Sequence, residues 1–424
     1  MKRRTLLSGM LGLAAMACAP LARAAHRRVV IVGGGWGGLA TARQLRTLAP
    51  QIEVVVIERN TAFRSLPLSN RWLVGLARSE KLVHDYRATA ARHGYQFVQD
   101  EVVAIDRTAR KVITQRQALA YDWLVIAAGI REDFSSWYGQ DKTAADYTRQ
   151  NFTSAFLGGD DLLRLKAKLE NYSGGDLAMT IPPMPYRCPP APYERAGMIA
   201  WWIKEHRIKG HLIVLDPNQP SATFSRICRD TYSNEITYLP QSHIKTVDPY
   251  KKRITTDFDT IDFAEAILLP PQQAADVVWQ AGLIAQGVDG KTTGWAAQDP
   301  LSLNAIGDDR IFLVGDLLGR ASPLFGFYPK TGQIAARLGA IAAEQIVARE
   351  RGLPPSQQLP ASSCYVVQRV APMEISRLDS SYRLRADGLI QQSVKQTDYP
   401  QAENEDVAWA QTMFGELGFD ANSQ

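Results

Sequence analysis

The hydrophobic pattern of residues 28–58 predicts a strand, a helix and a second strand. The β-branched run RVVIV precedes a glycine-rich turn, a segment with alanine and leucine at helical spacing follows, and a second run, EVVVIE, ends at Glu58. Gly33, Gly35 and Gly38 form a Gly-x-Gly-x-x-Gly pattern in the turn, and Glu58 follows Gly38 by 20 residues. Such a turn lets a pyrophosphate approach the backbone, and the terminal acid can bind a ribose. The pattern therefore predicts a dinucleotide-binding site.

Residues 176–216 repeat this strand–helix–strand outline without the glycines. The segments DLAMTIPP, YERAGMIAWWIKEHR and GHLIVLDPN read as strand, helix and strand, and the last ends in Asp216. Between the first strand and the helix stands IPPMPYRCPP. Proline lacks an N–H donor, and side chains block the close approach that glycine permits. We therefore expect this unit to bind no NAD(P), with Cys188 in the place of the phosphate-binding turn.

Two later apolar runs indicate which dinucleotide the first unit binds. YDWLVIAAGI, residues 121–130, is an apolar strand that stops at Gly129, and DRIFLVGDLLG, residues 309–319, carries Gly315 and Asp316. These runs resemble the two return segments of the FAD domain in flavoproteins that bind two dinucleotides. In those proteins the late Gly-Asp pair holds the ribityl chain and the pyrophosphate. The order and spacing of the runs favour FAD at the first site.

The first 24 residues carry most of the excess positive charge. They combine a basic MKRR start, an apolar stretch too short to span a bilayer, and ARA before Ala25, which together predict a signal peptide. The chain has 48 Lys and Arg against 43 Asp and Glu, and without the four basic residues of this leader the net charge falls from +5 to +1. A nearly neutral chain lacks the basic surface that nucleic acid requires. KRRTLLSG resembles a twin-arginine signal, so we expect export to the periplasm.

Three cysteines remain after the leader: Cys188, Cys228 and Cys364. An exported protein can hold disulfides, and three thiols allow one pair and one spare. The sequence has no Cys-x-x-Cys-His segment for haem attachment, and its six histidines show no ligand spacing. We therefore expect no haem and no metal site in this chain.

Six motifs point to a family: RCPPAPYERA, LPPQQAADVV, GW…DP, VGD, PKTG and CYVV. From about residue 27 to the C-terminus, the chain resembles the flavoprotein subunit of flavocytochrome c sulfide dehydrogenase. The resemblance implies an α/β, two-dinucleotide-binding (glutathione-reductase-like) flavoprotein with a degenerate second Rossmann unit and a small C-terminal α+β domain. It also implies a redox-active Cys188–Cys364 disulfide beside FAD, an acid at Glu194, sulfide oxidised to sulfur or polysulfide, and electrons passed to a c-type cytochrome.

The chemistry of these residues suits sulfide. Hydrosulfide is a nucleophile, and a disulfide is an electrophile that accepts two electrons, so attack leaves a persulfide and releases a thiolate. Arg187 and a helix starting near Pro192 would stabilise that thiolate. Glu194, in the first turn of the same helix, would handle protons if burial raises its pKa. A second helix, starting near Lys330, would direct its positive end at the pyrimidine edge of the flavin.

The predicted site residues are catalytic Cys188, Cys364 and Glu194, and FAD-binding Gly33, Gly35, Gly38, Glu58, Val102, Gly129, Asp316 and Lys330. Some family members attach the flavin to a cysteine in a TCYLSN-like segment. This chain reads FRSLPLSN there and has Leu66 at that place, which predicts non-covalent FAD.

The predicted divisions of the chain are a signal peptide at 1–24, a first FAD-binding part at 25–155, a degenerate NAD-like domain at 156–275, a returning FAD-binding part at 276–350, and a C-terminal domain at 351–424.

The site assignments have plainer alternatives. A purely structural disulfide between Cys188 and Cys364 would close a loop of 176 residues and stabilise the fold by about 5 kcal/mol in the chain-entropy model. Glu194 could be an ordinary acid at a helix N-terminus, and Lys330 an ordinary lysine at a helix start. We interpret Cys228, in FSRICRD, as a spare buried thiol.

Two alternative functions stay open. A sulfide:quinone reductase-like flavoprotein of the membrane surface uses similar cysteines, but it would need an apolar C-terminal surface. The tail offers only Trp409, Met413, Phe414 and Phe419, so membrane association is not expected. A non-catalytic flavin-binding or assembly protein is the other alternative, and the retained cysteine pair argues against it.

Overall fold

The structure is a computed structural model of the 424-residue chain, and it describes residues 27–79 and 82–419. The predicted signal peptide lies outside the described residues. The strands, in chain order, are β1 Arg28–Val32, β2 Glu53–Glu58, β3 Ala62–Arg64, β4 Val83–Asp85, β5 Gln96–Gln99, β6 Val102–Asp106, β7 Lys111–Thr114, β8 Ala118–Ala120, β9 Trp123–Ile126, β10 Ile130–Glu132, β11 Gly174–Thr180, β12 Lys209–Asp216, β13 Ile236–Pro240, β14 Ile244–Asp248, β15 Arg253–Thr256, β16 Thr260–Asp262, β17 Glu265–Ile267, β18 Gln272–Ala274, β19 Ile284–Gln286, β20 Thr292–Ala296, β21 Asn304–Ala305, β22 Asp308–Leu313, β23 Ser362–Arg369, β24 Glu374–Leu384 and β25 Ile390–Tyr399. The helices are α1 Trp36–Leu48, α2 Ser69–Leu73, α3 Tyr86–His93, α4 Ser135–Tyr138, α5 Lys142–Asn151, α6 Asp161–Glu170, α7 Ala191–Glu205, α8 Ala222–Thr231, α9 Asp276–Gln280, α10 Gly332–Glu350 and α11 Glu405–Leu417, and a 3₁₀ helix covers Gly315–Leu317.

The first strand–helix–strand unit belongs to a six-stranded sheet with the order β21-β22-β9-β1-β2-β5. All neighbours are parallel except β21 and β22. Strands β1, β9 and β22 end together, because the carboxyl ends of parallel strands meet at one edge of a sheet. This edge therefore brings together the glycine turn after β1, the segment after β9, and Gly315–Asp316 after β22.

Helices α1 and α10 cover this sheet and pack closely on each other. The Thr41 hydroxyl of α1 donates to the Gly339 carbonyl of α10 at 3.1 Å. A Cβ on Gly339 would overlap the carbonyl oxygen of Gly37, so the two backbones touch where they cross. This crossing fixes the start of α1 relative to the start of α10, and both helix starts face the site described below.

The second strand–helix–strand unit, β11–α7–β12, belongs to a four-stranded parallel sheet with the order β13-β12-β11-β17. The predicted frame without glycines is confirmed, and α7 begins at Ala191, one residue before the predicted start. Two antiparallel three-stranded sheets, β6-β7-β8 and β14-β15-β16, flank the parallel sheets.

The C-terminal residues form an antiparallel sheet, β23-β24-β25, followed by α11. Residues 353–361 have no regular secondary structure, as expected for a linker. Strand β23 contacts α7 of the second unit, and α11 contacts α1 of the first. The predicted α/β class with two strand–helix–strand units and a small C-terminal α+β portion is confirmed.

Candidate active site

A cavity of about 870 Å³ lies at the carboxyl edge of the six-stranded sheet, and residues from both strand–helix–strand units and from β23 line it. Ten of the eleven predicted site residues line this cavity. The eleventh, Gly38, lies one turn inside α1 and contacts the glycine turn instead. Residues predicted from separate motifs therefore converge on one space.

The three glycines of the first unit have three different roles. Gly33 has φ +106°, and a Cβ there would lie 2.5 Å from the Ala127 carbonyl oxygen after β9. A Cβ on Gly38 would overlap the Gly33 carbonyl oxygen. Gly35 caps α1 and has nothing within 4 Å of where its Cβ would lie, so the helix start is open to the cavity. An open helix start with free N–H groups suits a pyrophosphate.

Glu58 lies at the end of β2, as predicted, but the chain itself holds its carboxylate. One oxygen accepts from the Gly34 N–H at 2.8 Å, and the other accepts from the N–H and the side-chain amide of Asn60 at 2.8 and 2.6 Å. Glu58 therefore fixes the glycine turn as well as lining the cavity. Val102 begins β6 and also lines the cavity.

Asp316 and Arg187 form an ion pair on the cavity wall. The Arg187 Nε donates to Asp316 Oδ2 at 2.7 Å, and Nη1 donates to the Phe156 carbonyl at 2.7 Å. The guanidinium of Arg187, which the sequence predicted to stabilise the thiolate, is thus paired with Asp316. Gly129, with φ +72°, makes room for this guanidinium, since a Cβ there would lie 2.6 Å from Arg187 Nη2. The other oxygen of Asp316, Oδ1, is buried and has no hydrogen-bond partner among the residues that the structure describes.

Lys330 lines the cavity but does not start a helix. Helix α10 begins at Gly332, and the Thr331 hydroxyl caps it by accepting from Ile334 N–H at 3.3 Å. The Lys330 ammonium donates to the carbonyls of Asp316 and Leu318 at 2.7 and 2.9 Å and lies 3.7 Å from the centre of the Trp295 ring. Burial lowers the pKa of Lys330 to about 7. The ammonium thus fixes the segment of Asp316, while the start of α10 faces the cavity.

Cys188 and Cys364 meet at the cavity as two free thiols. A hydrogen bond to Cys188, together with burial, raises the pKa of the Cys364 thiol well above its usual value. The Cys364 thiol thus lies within hydrogen-bonding reach of Cys188. Cys188 precedes the first turn of α7, where the helix dipole favours a thiolate.

Glu194 lies in the first turn of α7 and lines the cavity together with the cysteine pair. Its carboxylate accepts from the Asn70 amide at 2.6 Å and from the Val367 N–H on β23 at 2.8 Å. Burial nevertheless raises the pKa of Glu194 to about 7, against the opposing effect of these two hydrogen bonds. Its charge also acts on Cys364, so the carboxyl can exchange a proton near the pair at neutral pH.

The structure adds two candidate functional residues that the sequence did not predict, Arg195 and Glu132. Arg195 is fully buried, donates to Asn70 Oδ1 at 2.9 Å and lies 4.2 Å from the Phe156 ring centre. Burial lowers its pKa to about 9, whereas the charges of Glu194 and Cys188 oppose that shift. The charge of Arg195 therefore interacts with that of Cys188. Arg195 is the only basic residue between Arg187 and Lys204, and that isolation in an apolar helix was the available signal.

Glu132 is the second residue that was missed. It ends β10, lines the cavity, and accepts a hydrogen bond from the Ser154 hydroxyl. Burial raises the pKa of Glu132 to about 7. The sequence REDF around it contains no signal that separates this buried acid from its partly exposed neighbour Asp133.

Cys228 lies apart from this site. It is buried on α8, and burial raises the pKa of its thiol to about 12. The interpretation of Cys228 as a spare buried thiol is confirmed, and the residue provides a control cysteine for experiments.

The cavity fits an FAD. The open helix start at Gly35 suits a pyrophosphate, and the unpartnered Asp316 Oδ1 suits a hydroxyl donor such as the ribityl chain supplies. Leu66 lines the cavity at the place where some relatives have the flavin-linked cysteine. Residues 188 and 364 lie on the same cavity, so a flavin and the thiol pair would share one space.

Comparison with known proteins agrees with this arrangement. Residues 27–157 match the family model "Pyridine nucleotide-disulphide oxidoreductase", and residues 162–270 match "Sulfide dehydrogenase [flavocytochrome c] flavoprotein chain, central". The sulfide-quinone reductase of Aquifex aeolicus (strain VF5) is 22% identical over 339 residues, which cover 76% of each chain. The sulfide dehydrogenase [flavocytochrome c] flavoprotein chain of Chlorobaculum thiosulfatiphilum is 54% identical over 44 residues, which are 10% of this chain and 92% of that sequence.

Among solved structures, the X-ray structure of the sulfide:quinone oxidoreductase from Aquifex aeolicus superimposes with a TM-score of 0.71. The superposition covers 94% of this chain and 92% of that chain at 21% sequence identity.

Proposed function

The chain is a flavoprotein with the two-dinucleotide-binding fold, and we propose that it oxidises sulfide through Cys188 and Cys364 and passes the electrons to a c-type cytochrome. The observation that carries this proposal is the convergence of the two cysteines on the cavity that fits FAD. They lie 176 residues apart in the sequence, on α7's leading loop and on β23. A structural disulfide would serve equally well elsewhere in the fold, whereas a redox pair must lie beside the flavin.

The electron and atom balance assigns a role to each sulfur. In the oxidised pair, hydrosulfide attacks Cys364, the Cys188–Cys364 bond breaks, and a new sulfur–sulfur bond forms on Cys364. The two electrons of the broken bond leave on Cys188 as a thiolate. A thiol with a more stable anion leaves faster, and Cys188 lies just before the start of α7, where the helix dipole stabilises an anion. Arg195 and the start of α7 stabilise that charge.

Glu194 takes the proton that the persulfide releases. Its raised pKa keeps the carboxyl close to half-protonated at neutral pH, which is the condition for efficient proton transfer. The hydrogen bonds from Asn70 and from Val367 on β23 hold it in place.

The FAD of this proposal is held without a covalent bond. Gly35 and the start of α1 would receive the pyrophosphate, Glu58 would line the adenosine end, and Asp316 would accept from the ribityl chain. When bound, FAD supplies a two-electron acceptor that a one-electron carrier can reoxidise. Within this chain no further residue needs to carry electrons between the thiol pair and the cofactor, since both line the same cavity.

The electron acceptor distinguishes the proposed function from its alternative. The name of the Aquifex aeolicus relative favours a quinone, and the short match and the central family model favour a cytochrome. The tail residues that could have formed an apolar surface face inward: Met413, Phe414 and Phe419 are buried, and Trp409 lines the cavity. No helix of the described residues is long and apolar enough to cross a membrane. We therefore favour the cytochrome, with a periplasmic location as part of the proposal.

An anaerobic titration tests the function. Sulfide added to the purified holoprotein should bleach the flavin absorbance in a stoichiometric step, and cytochrome c added afterwards should be reduced while the flavin band returns. A soluble ubiquinone analogue in place of cytochrome c should restore the band slowly; faster reoxidation by the quinone would favour the alternative. A flavin that sulfide leaves oxidised, while dithionite bleaches it, would contradict the proposed function.

A further inference from the structure

Asp216, the acid at the end of the second unit, has different surroundings from Glu58, the acid at the end of the first. Asp216 ends β12, where the acid of a nicotinamide-binding unit faces a ribose. Here its side chain is buried and accepts four hydrogen bonds from the chain itself. A carboxylate has about four acceptor positions, so none is left for a ligand.

The four donors come from three residues. The hydroxyls of Tyr193 and Tyr238 donate to Asp216 Oδ2 at 2.6 and 2.7 Å. The backbone N–H and the side-chain amide of Asn218 donate to Oδ1 at 2.9 and 2.8 Å. Tyr193 belongs to the first turn of α7, so this network ties β12 to the helix start beside Cys188.

Asn218 extends the network to the loop that carries the cysteine, residues 181–190. Its side-chain amide donates to the Pro182 carbonyl at 3.0 Å, and its side-chain carbonyl accepts from the Met184 N–H at 3.1 Å. The loop is therefore held at its beginning by Asn218 and at its end by Tyr193. Asp216 orients both residues.

The loop needs such anchors because of the conformation of Cys188. Cys188 has φ +50°, a left-handed conformation that is unfavourable for a residue with a side chain. Its N–H donates to the Lys330 carbonyl at 2.8 Å, which fixes it to the segment before α10. A strained residue of this kind persists only where the surroundings hold it.

We propose that Asp216 is a positioning residue for Cys188: in this unit the acid of a nucleotide site has become the internal anchor of the loop that carries the reactive sulfur. The inference rests on the proposed function, because it concerns the same thiol pair. A disulfide forms only when the two cysteines lie within a narrow range of separations. Loosening the loop should therefore disfavour the Cys188–Cys364 bond relative to the two thiols.

The test measures that equilibrium directly. Holoprotein is equilibrated without oxygen in mixtures of reduced and oxidised dithiothreitol, which gives up two electrons and closes its own ring as it reduces the pair. Free thiols are then alkylated, and the peptides of Cys188 and Cys364 are quantified by mass spectrometry. Asp216→Asn should shift the equilibrium toward the thiols about tenfold, or about 30 mV for a two-electron couple, and Tyr193→Phe should shift it severalfold in the same direction.

The matched control is Tyr138→Phe. Tyr138 is half-buried on α4, and its hydroxyl lies 2.7 Å from the Thr148 hydroxyl, outside the hydrogen bonds that Asp216 accepts. This variant should keep the parent equilibrium, and Tyr193→Phe decides the question if Asp216→Asn does not fold.

Each outcome separates the two proposals. Disulfide–thiol equilibrium constants within twofold of the parent value in both Tyr193→Phe and Asp216→Asn would overturn the proposal that Asp216 anchors the loop. A shifted equilibrium in a protein that sulfide does not reduce would support the anchor and contradict the proposed substrate. A parent that forms no Cys188–Cys364 disulfide at any ratio of dithiothreitol would overturn both.

Discussion

The first strand–helix–strand unit, β1–α1–β2, and the second, β11–α7–β12, differ in what they place at the start of the helix. In the first, Gly35 leaves the start of α1 open to the cavity, and α1 has no acidic residue in its first turn. In the second, Cys188 precedes α7 and Glu194 lies in its first turn. The same positive helix end thus serves a ligand in one unit and the protein's own ionisable groups in the other.

The acids that end the second strands show the same contrast. Glu58 borders the cavity while holding the glycine turn, and Asp216 is buried with every acceptor position occupied. A duplicated frame therefore does not predict a duplicated ligand site. A strand–helix–strand unit forms a ligand site only when the segment between its first strand and its helix leaves space for a ligand instead of filling that space with side chains.

The largest effect that we expect comes from removing the sulfur that pairs with Cys188 of the second unit. Cys364→Ser should fold, bind FAD and be bleached by dithionite, but flavin reduction by sulfide should slow by about a thousandfold or more, because the electrophilic sulfur is gone. Stopped-flow absorbance at the flavin band measures the rate. Cys228→Ser is the matched control and should behave like the parent. Parent-like bleaching in a folded Cys364→Ser protein would mean that the Cys188–Cys364 pair is structural only.

The next effect separates the two units by their glycines. Gly38→Ala in α1 should lower the free energy of unfolding by about 3 kcal/mol or more and release FAD, because the added Cβ overlaps the Gly33 carbonyl. Gly197→Ala in α7 places its Cβ 3.5 Å from the Gln368 carbonyl, an ordinary contact, and should stabilise by up to about 1 kcal/mol. Urea unfolding and the flavin content of the purified proteins measure both. Equal effects of the two substitutions would remove the distinction between the units.

A smaller effect concerns the pH dependence of stability. The pKa of Glu194 is about 7 in the folded protein and that of an ordinary glutamate when unfolded, so the folded state binds the extra proton between these values. The stability that this group contributes is present below about pH 4.5 and is lost as the pH rises through 7. The free energy of unfolding of Glu194→Gln minus that of the parent should therefore be about 2 kcal/mol larger at pH 8 than at pH 5.

Urea unfolding of reduced protein at the two pH values checks this prediction. Glu132 has a similar pKa in both proteins, so its contribution cancels from the difference. A difference that does not change with pH would show that Glu194 is ionised throughout, as an ordinary acid at a helix N-terminus would be.

The smallest effect is the difference in reactivity between the two thiols. In reduced protein at pH 7, iodoacetamide should modify Cys188 about tenfold faster than Cys364, because the pKa of the Cys364 thiol is raised and the start of α7 stabilises a thiolate at Cys188. Buried Cys228 should react most slowly. A time course followed by peptide mass spectrometry gives the three rates, and faster modification of Cys364 would reverse the roles assigned to the sulfurs.

Sequence alone determined the parts of this protein that depend on the local backbone. Gly33 requires a positive φ, Gly38 has no room for a side chain, and the apolar runs before Gly129 and Asp316 had to be buried strands. The prolines around Cys188 likewise excluded a glycine-type turn without knowledge of the fold. Because these requirements lie within a few consecutive residues, the sequence was sufficient to predict them. The predicted motifs therefore lie together at one cavity.

Tertiary structure alone decided which charges face each other. Arg187 was predicted to act on the thiolate, but it pairs with Asp316, 129 residues away. Arg195 was not predicted as a site residue, and the packing of α7 buries it beside Asn70. Lys330 reaches two backbone carbonyls, and Glu132 is buried where its neighbour Asp133 is not. A charged side chain looks the same in the sequence whether it ends in water or in the core, and its partner is fixed only when distant segments pack together.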